Sequence, residues 1–159
     1  MLWGRSAEDE LGLGARRHLA WSTTTGDGTW AGTRYLDDRV RGVVEVMDLA
    51  MNAHGEAVAV WTQSMTAAAA RFAFGAGWSE PTHVEAGGSP AALVTPQGTA
   101  LALLPGDWIC QQPGSRWEAH PLPLADGIHA LEAAGDRRHL SLVQYGDGLT
   151  ARVLTAGRS

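Results

Sequence analysis

The feature that most constrains the fold is a strand pattern that recurs about every forty residues along the chain. Its clearest copy is Gly55–Gln63, where small and apolar residues alternate after a glycine turn, as in a strand with one buried face. Similar segments occur at His18–Ser22, Gly98–Leu104 and His139–Gln144. A repeat of this length predicts four similar all-β units in succession along the chain.

Each of these segments is followed by a tight turn and a second predicted strand. The turns contain Gly26–Gly28, Pro105–Asp107 and Gly146–Gly148, residue types that suit short hairpins. A third strand, at Gly77–Val84 and Ser115–Leu122, begins near a tryptophan and contains a proline, which is typical of a sheet edge. Together with a strand that precedes the first one, each repeat is predicted to be a four-stranded antiparallel meander.

The two ends of the chain suggest how the repeats are arranged. We expect four blades, of which the last lacks its tryptophan-led edge strand, while Leu2–Ser6 resembles such strands. Residues 1–8 are therefore predicted to complete the last blade, which would close a small four-bladed β-propeller and remove exposed sheet edges. The predicted blades comprise residues 10–46, 47–86, 89–125, and 127–159 with 1–8.

The best copy of the repeat resembles a known class of proteins. Gly55–Gln63, followed by Ala70–Phe72 and Gly77–Pro81, is similar to blade repeats of bacterial β-propeller proteins. The resemblance implies the fold but not an activity, because propellers include lectins, enzymes and scaffolds. The Trp-Asp dipeptide of WD40 repeats does not occur. Thr23–Trp30 ends like the Asp-box of sialidase-like propellers, but Thr25 and Asp27 occupy the positions of its aspartate and its glycine.

Composition and charge bear on the partners. The formal net charge is -5, and no basic run is longer than Arg16–Arg17 or Arg137–Arg138, so we predict no nucleic-acid partner. The N-terminal residues contain no apolar run of the kind found in signal peptides or membrane spans, so we expect a cytoplasmic protein without membrane contact, secreted only within a larger precursor. We expect a monomer or a homodimer.

Four tryptophans are candidate ligand-binding residues. There is a weaker similarity to fucose-binding propeller lectins, which place aromatic residues after a Gly-Trp turn and build sugar sites between neighbouring blades. That similarity implies that the tryptophans stack on sugar rings, whereas their recurrence in the repeat favours packing between blades. Arg34, Arg71 and Arg152 recur in the second strand and have the same two interpretations, a carboxylate site or structural ion pairs. The four candidate tryptophans are Trp30, Trp78, Trp108 and Trp117.

Two further candidates lie in the strands that would line the central channel of a propeller. Asp48 and His129 combine carboxylate and imidazole groups, which suits either an ion site, acid–base work or simple solvation. The six histidines show no metal-binding spacing, and we predict no cofactor, no metal and no catalytic residue.

The sequence therefore favours a non-catalytic binding or assembly module whose ligand is an unknown protein or glycan. The alternative is a carbohydrate-binding, lectin-like protein or a sialidase-like glycosidase. Glycoside hydrolysis needs two carboxylates that flank the scissile bond. The candidate carboxylates are Glu45, Asp48, Glu132 and Asp136.

Overall fold

The computed structural model describes most of the 159-residue chain. The described residues are 2–8, 15–24, 27–37, 44–63, 66–85, 89–104, 107–111, 113–121, 130–135, 139–145 and 149–155. Side chains are described for residues 19–24, 27–36, 44, 47–63, 66–85, 89–104 and 113–119. Within these ranges the structure contains β-strands and turns but no helix, and the strands form four antiparallel sheets, none of them closed on itself. The predicted all-β antiparallel class is confirmed.

The first sheet corrects the predicted arrangement of the N-terminus. It has the strand order β1-β2-β3, with β1 (Leu2–Glu8), β2 (Ala15–Trp21) and β3 (Arg34–Asp37). Leu2 pairs with Trp21 and Glu8 pairs with Ala15, so β1 belongs to the first sheet. The prediction that residues 1–8 complete the C-terminal repeat is wrong. Only residues 9–14 separate β1 from β2, and so short a connection closes an antiparallel hairpin at little entropic cost.

The second sheet contains the best copy of the repeat. Its strands are β4 (Val44–Met51), β5 (Ala57–Gln63), β6 (Thr66–Ala73), β7 (Gly77–Trp78) and β8 (Thr82–Glu85). Both β7 and β8 pair with β6, so the predicted edge strand exists but is interrupted around Pro81. At the interruption, the Ser79 amide donates to the Arg71 carbonyl at 2.8 Å. Proline has no N–H to give to a ladder, which explains the break at the sheet edge.

The third and fourth sheets repeat the same consecutive arrangement. The third sheet has the order β12-β11-β10-β9, and the fourth has the order β13-β14-β15. The strands of the third sheet are β9 (Ala91–Val94), β10 (Ala100–Leu104), β11 (Asp107–Gln111) and β12 (Glu118–Pro121). The strands of the fourth are β13 (Ala130–Gly135), β14 (His139–Tyr145) and β15 (Leu149–Thr155). Each of these sheets is an antiparallel meander of neighbours in sequence.

The second sheet packs against a neighbouring sheet on each of its two faces. Successive residues of its strands point to opposite sides and so contribute alternately to the two faces. One face packs against the third sheet in a cluster formed by Val58, Val60, Ala67, Ala69, Ala92, Val94, Ala100, Ala102 and Leu104. The other face packs against the first sheet in a cluster formed by Leu19, Leu36, Ala59, Trp61, Ala68 and Ala70. The core therefore consists of junctions between consecutive sheets.

Two equivalent turns show that the repeat is present in the structure as well as in the sequence. In the β4–β5 turn, the backbone amide of Asn52 donates to the backbone carbonyl of Glu56 at 2.9 Å, and Gly55 has a φ of 76°. In the β9–β10 turn, the Thr95 amide donates to the Thr99 carbonyl at 2.9 Å, and Gly98 has a φ of 84°. Both turns thus place a glycine in the left-handed region at the same position.

Candidate functional site

An ion pair within the second sheet lies next to the turn between β9 and β10 of the third sheet. The Arg71 Nη2 lies 2.7 Å from the Glu56 Oε1, and these side chains are 9% and 21% exposed. The Asn52 Nδ2 donates to the other Glu56 carboxylate oxygen at 2.9 Å and also to the Thr95 carbonyl at 3.0 Å. The hydrogen bond to Thr95 joins the β4–β5 turn to the β9–β10 turn. Arg71 is therefore a structural residue, one of the two interpretations of the repeated arginines.

Asp48 makes a second connection between the same sheets. Its Oδ1 accepts the Leu49 amide at 2.8 Å, and its Oδ2 accepts the Ala92 amide of β9 at 2.8 Å. Both carboxylate oxygens therefore accept backbone hydrogen bonds where β4 meets β9. The predicted partners of Asp48 at a channel remain untested, because His129 and Asp136 and the side chains of Glu45 and Glu132 lie outside the described residues.

An apolar cleft lies between the first and second sheets. It is small, with about 30 Å³ of accessible space. Three of its aromatic rings contact one another: Trp21 lies 5.9 Å from Phe72 and 6.3 Å from Trp78, and the last two rings are 5.5 Å apart. The lining residues, which define the aromatic cleft, are Trp21, Ser22, Thr23, Leu49, Met51, Ala57, Phe72 and Trp78.

The guanidinium of Arg34 contacts one of the rings that line this cleft. Arg34 lies opposite Trp21 in the β2–β3 ladder, and its guanidinium carbon is 5.7 Å from the centroid of the indole. A guanidinium at this distance from an indole makes a favourable cation–π contact. Arg34 is exposed to solvent.

An open polar groove lies between the second and third sheets. It holds about 410 Å³ of space and combines a carboxylate, a guanidinium, hydroxyl groups and an indole. Trp117 is half-buried and packs against the apolar cluster of that junction, and its buried Nε1 has no hydrogen-bond partner among the described residues. The residues that define the polar groove are Ser79, Glu80, Thr82, Ser115, Arg116 and Trp117.

The candidate tryptophans are distributed over different places. Trp78 lines the aromatic cleft and Trp117 lines the polar groove, so each stands at a junction between consecutive sheets. The backbone of Trp30 forms an isolated antiparallel β-bridge with that of Thr24, and Trp30 is 51% exposed. Trp108 lies on β11, but its side chain is outside the described residues. Of the candidates, the structure thus places two against clefts, and it does not bring those two into one site.

Several cleft residues were not singled out from the sequence. Leu49 and Met51 alternate with Asp48 and Ala50 along β4, a period-two pattern that indicates one shared face. Glu80 and Arg116 lie in the predicted tryptophan-led segments, close in sequence to Trp78 and Trp117. That proximity was the signal in the sequence that could have identified them. Which side chains meet across a junction depends on how two sheets pack, which local sequence does not specify.

No protein-family model, curated protein or solved structure matches this chain. In the part of the chain that the structure describes, no helix has the length and apolar character needed to cross a membrane. Nor do three His, Cys, Asp or Glu residues there form a group suited to hold a metal ion.

Proposed function

We propose that the chain is a non-catalytic binding module built as a four-bladed β-propeller. Four meanders of consecutive strands support this architecture. Consecutive sheets also contact each other through early strands: β2 contacts β4, β4 contacts β9, and β9 contacts β13. Radial repetition of such sheets, with the first strands innermost, is the arrangement of a propeller. Contact between the fourth and first sheets, which would close the ring, is part of the proposal.

The polar groove between the second and third sheets is the observation that carries the binding function. Its volume of about 410 Å³ lies within the range of small-ligand sites, roughly 300–1,000 Å³. Its walls come from two successive repeats, one contributing Glu80 and the other contributing Arg116 and Trp117. A pocket assembled from two packed units positions such groups without a rearrangement of either unit.

A carbohydrate is the ligand class that this groove favours. The indole of Trp117 offers an apolar surface beside the charged groups of Glu80 and Arg116 and the hydroxyl groups of the groove. Sugar rings combine apolar C–H faces with many hydroxyl donors and acceptors, so they complement an aromatic wall with hydrogen-bonding groups around it. This chemistry agrees with the lectin-like alternative from the sequence.

A glycan array with matched variants tests the proposal. We expect the chain to bind a subset of glycans, and Arg116→Ala and Glu80→Gln to weaken that binding by roughly tenfold or more, because each removes a charge-assisted hydrogen bond. Trp117→Phe keeps an apolar ring against the core and should weaken binding less. Trp30→Ala removes an exposed tryptophan outside the groove and is the matched control.

Three outcomes separate the competing functions. Glycan binding that Arg116→Ala leaves unchanged would contradict the proposed groove. Turnover of aryl glycosides would contradict the non-catalytic proposal and favour the glycosidase alternative. A stable protein partner recovered without glycan binding would favour an assembly module instead of a lectin-like one.

A further inference from the structure

The polar groove carries opposite charges on its two walls. Glu80 belongs to the wall from the second sheet, and Arg116 belongs to the wall from the third sheet. We propose, building on the carbohydrate binding proposed above, that the sugar held in this groove is an acidic one, whose carboxylate pairs with Arg116. The Glu80 carboxylate then accepts hydrogen bonds from the hydroxyl groups of the same sugar.

The backbone that carries each charge is fixed by the serine that precedes it. The Ser79 hydroxyl donates to the Glu80 carbonyl at 3.2 Å, and the Ser115 hydroxyl donates to the Arg116 carbonyl at 3.1 Å. Ser79 is itself bound to β6, because its amide donates to the Arg71 carbonyl at 2.8 Å and its hydroxyl accepts the Arg71 amide at 3.1 Å. Both charged positions are therefore held in place before a ligand binds, which lowers the entropic cost of binding.

The guanidinium of Arg116 is available to a ligand. Arg116 is exposed, and among the described residues no carboxylate pairs with it, whereas the guanidinium of Arg71 is already paired with Glu56. A guanidinium offers five N–H donors in a planar fork and no acceptor. Its best complement is a planar anion with two oxygens, so a carboxylate fits it through two parallel hydrogen bonds.

The opposite wall limits how much negative charge the ligand can carry. An ionised Glu80 only accepts hydrogen bonds, so it suits the hydroxyl groups of a sugar and repels a second anion. A phosphate carries about -1.5 to -2 charges at pH 7, whereas a carboxylate carries a single charge. The net charge of -5 of the chain adds to this repulsion. A sugar with one carboxylate and several hydroxyl groups therefore suits the groove better than a phosphorylated sugar does.

Trp117 completes the match to a sugar ring. The Nε1 is the only polar atom of its side chain and is buried, so the part of the side chain that remains exposed consists of carbon. This apolar surface lies in the same groove as the two charges. A sugar ring has an apolar C–H face and polar edges, so it can contact the indole while its edges reach Arg116 and Glu80.

NMR titrations with matched methyl glycosides test the acidic-sugar assignment. We expect methyl glucuronide to bind roughly tenfold more tightly than methyl glucoside, or methyl galacturonide than methyl galactoside, because only the acids form a charge-assisted pair with the guanidinium. Arg116→Gln should reduce this ratio to about one, and Arg116→Lys should keep part of it, since an ammonium group lacks the planar fork. Glu80→Gln should raise the ratio, because it removes the negative charge that opposes the carboxylate.

Arg34→Gln is the matched control, because Arg34 is an exposed arginine outside the groove, and it should leave the ratio unchanged. Equal affinities within both pairs, or no acidic sugar among the glycans bound on the array, would overturn the acidic-sugar assignment and leave carbohydrate binding in place. An unchanged ratio in Arg116→Gln with the parent melting temperature would also overturn it, as would tighter binding of glucose 6-phosphate than of the glucuronide. Absence of binding to any glycan would instead contradict both proposals.

Discussion

Gly98 and Gly55 occupy the same position in equivalent turns but differ in what lies against them. Both have positive φ, 84° and 76°, which side chains other than glycine rarely adopt. A Cβ at Gly55 would meet nothing within 4 Å, whereas a Cβ at Gly98 would come within 2.6 Å of the Glu56 Oε1. That carboxylate is held by Arg71 and Asn52 and is not free to move aside. Gly98 is thus required by backbone conformation and by space together.

We therefore predict that Gly98→Ala destabilises the fold more than Gly55→Ala does. Each substitution should cost about 1–3 kcal/mol for the left-handed backbone. Gly98→Ala should cost about 1–3 kcal/mol more, because it displaces the Glu56 carboxylate and leaves the buried guanidinium of Arg71 without its partner. The free energies of unfolding in urea measure the difference.

A double-mutant cycle supplies the control for this prediction. In a Glu56→Ala background the carboxylate is absent, so Gly98→Ala should then cost no more than Gly55→Ala. Equal losses for the two glycine substitutions in the parent chain would show that the Glu56 carboxylate does not constrain Gly98.

The repeated arginines illustrate what a sequence pattern leaves undetermined at this scale. Arg34 and Arg71 were aligned as equivalent residues, but the strand register places Arg71 opposite Val58 and Arg34 opposite Trp21. Arg71 consequently reaches Glu56, while Arg34 lies over an indole. Register depends on the turn and on packing, so two similar local sequences acquire different partners.

At the scale of elements, β6 is a strand made of residues with little preference for strands. Ala67, Ala68, Ala69 and Ala70 are consecutive and buried in its centre. Alanine is depleted in strands, so local propensity alone would not favour this structure. The reason is tertiary: β6 contributes alternately to the clusters on both faces of the second sheet, and small side chains let both neighbouring sheets approach it.

Replacing an alanine on either face of β6 with a larger residue should destabilise the protein. We predict that Ala69→Leu and Ala70→Leu each lower the free energy of unfolding by about 1–3 kcal/mol, because a filled core must shift to admit extra carbons. The first change crowds the junction with the third sheet and the second crowds the junction with the first sheet. Thermal and urea unfolding measure both losses.

A position on the same strand serves as the control. Thr66 is exposed at the start of β6, and its hydroxyl donates to the Gln63 carbonyl at 2.9 Å. Thr66→Ser keeps this hydroxyl, so it should change the free energy of unfolding by no more than about 0.5 kcal/mol. A leucine tolerated at both core positions without loss of stability would mean that the sheets do not pack closely on β6.

Strands with a clear alternation were predictable, and their partners across sheets were not. The predicted segments at Gly55, Gly98 and His139 correspond to β5, β10 and β14, because glycine turns and period-two patterns are local properties. For the site, Trp78 and Trp117 were identified from their recurrence. Their surroundings were not, because the aromatic cleft and the polar groove arise from side chains of different sheets.

For the whole molecule, the placement of β1 changes how a ring would close. β1 pairs with β2 at the edge of the first sheet, and the fourth sheet consists of β13, β14 and β15. β1 therefore does not extend the fourth sheet, and the two sheets are not joined through this strand. In the proposed propeller, closure depends on face-to-face packing between the fourth and first sheets, as at the two junctions whose side chains are described.

Hydrogen exchange on a chain lacking residues 1–8 tests this distinction. We predict that β2 loses amide protection, because it loses the ladder that pairs Leu2 with Trp21 and Glu8 with Ala15. The amides of β15 should keep their protection, because β14 is the strand that pairs with it. Protection in β10 of the third sheet serves as the internal reference. Loss of protection in β15 with β2 unchanged would instead place residues 1–8 beside the C-terminal strand, since exchange reports which ladder has been opened.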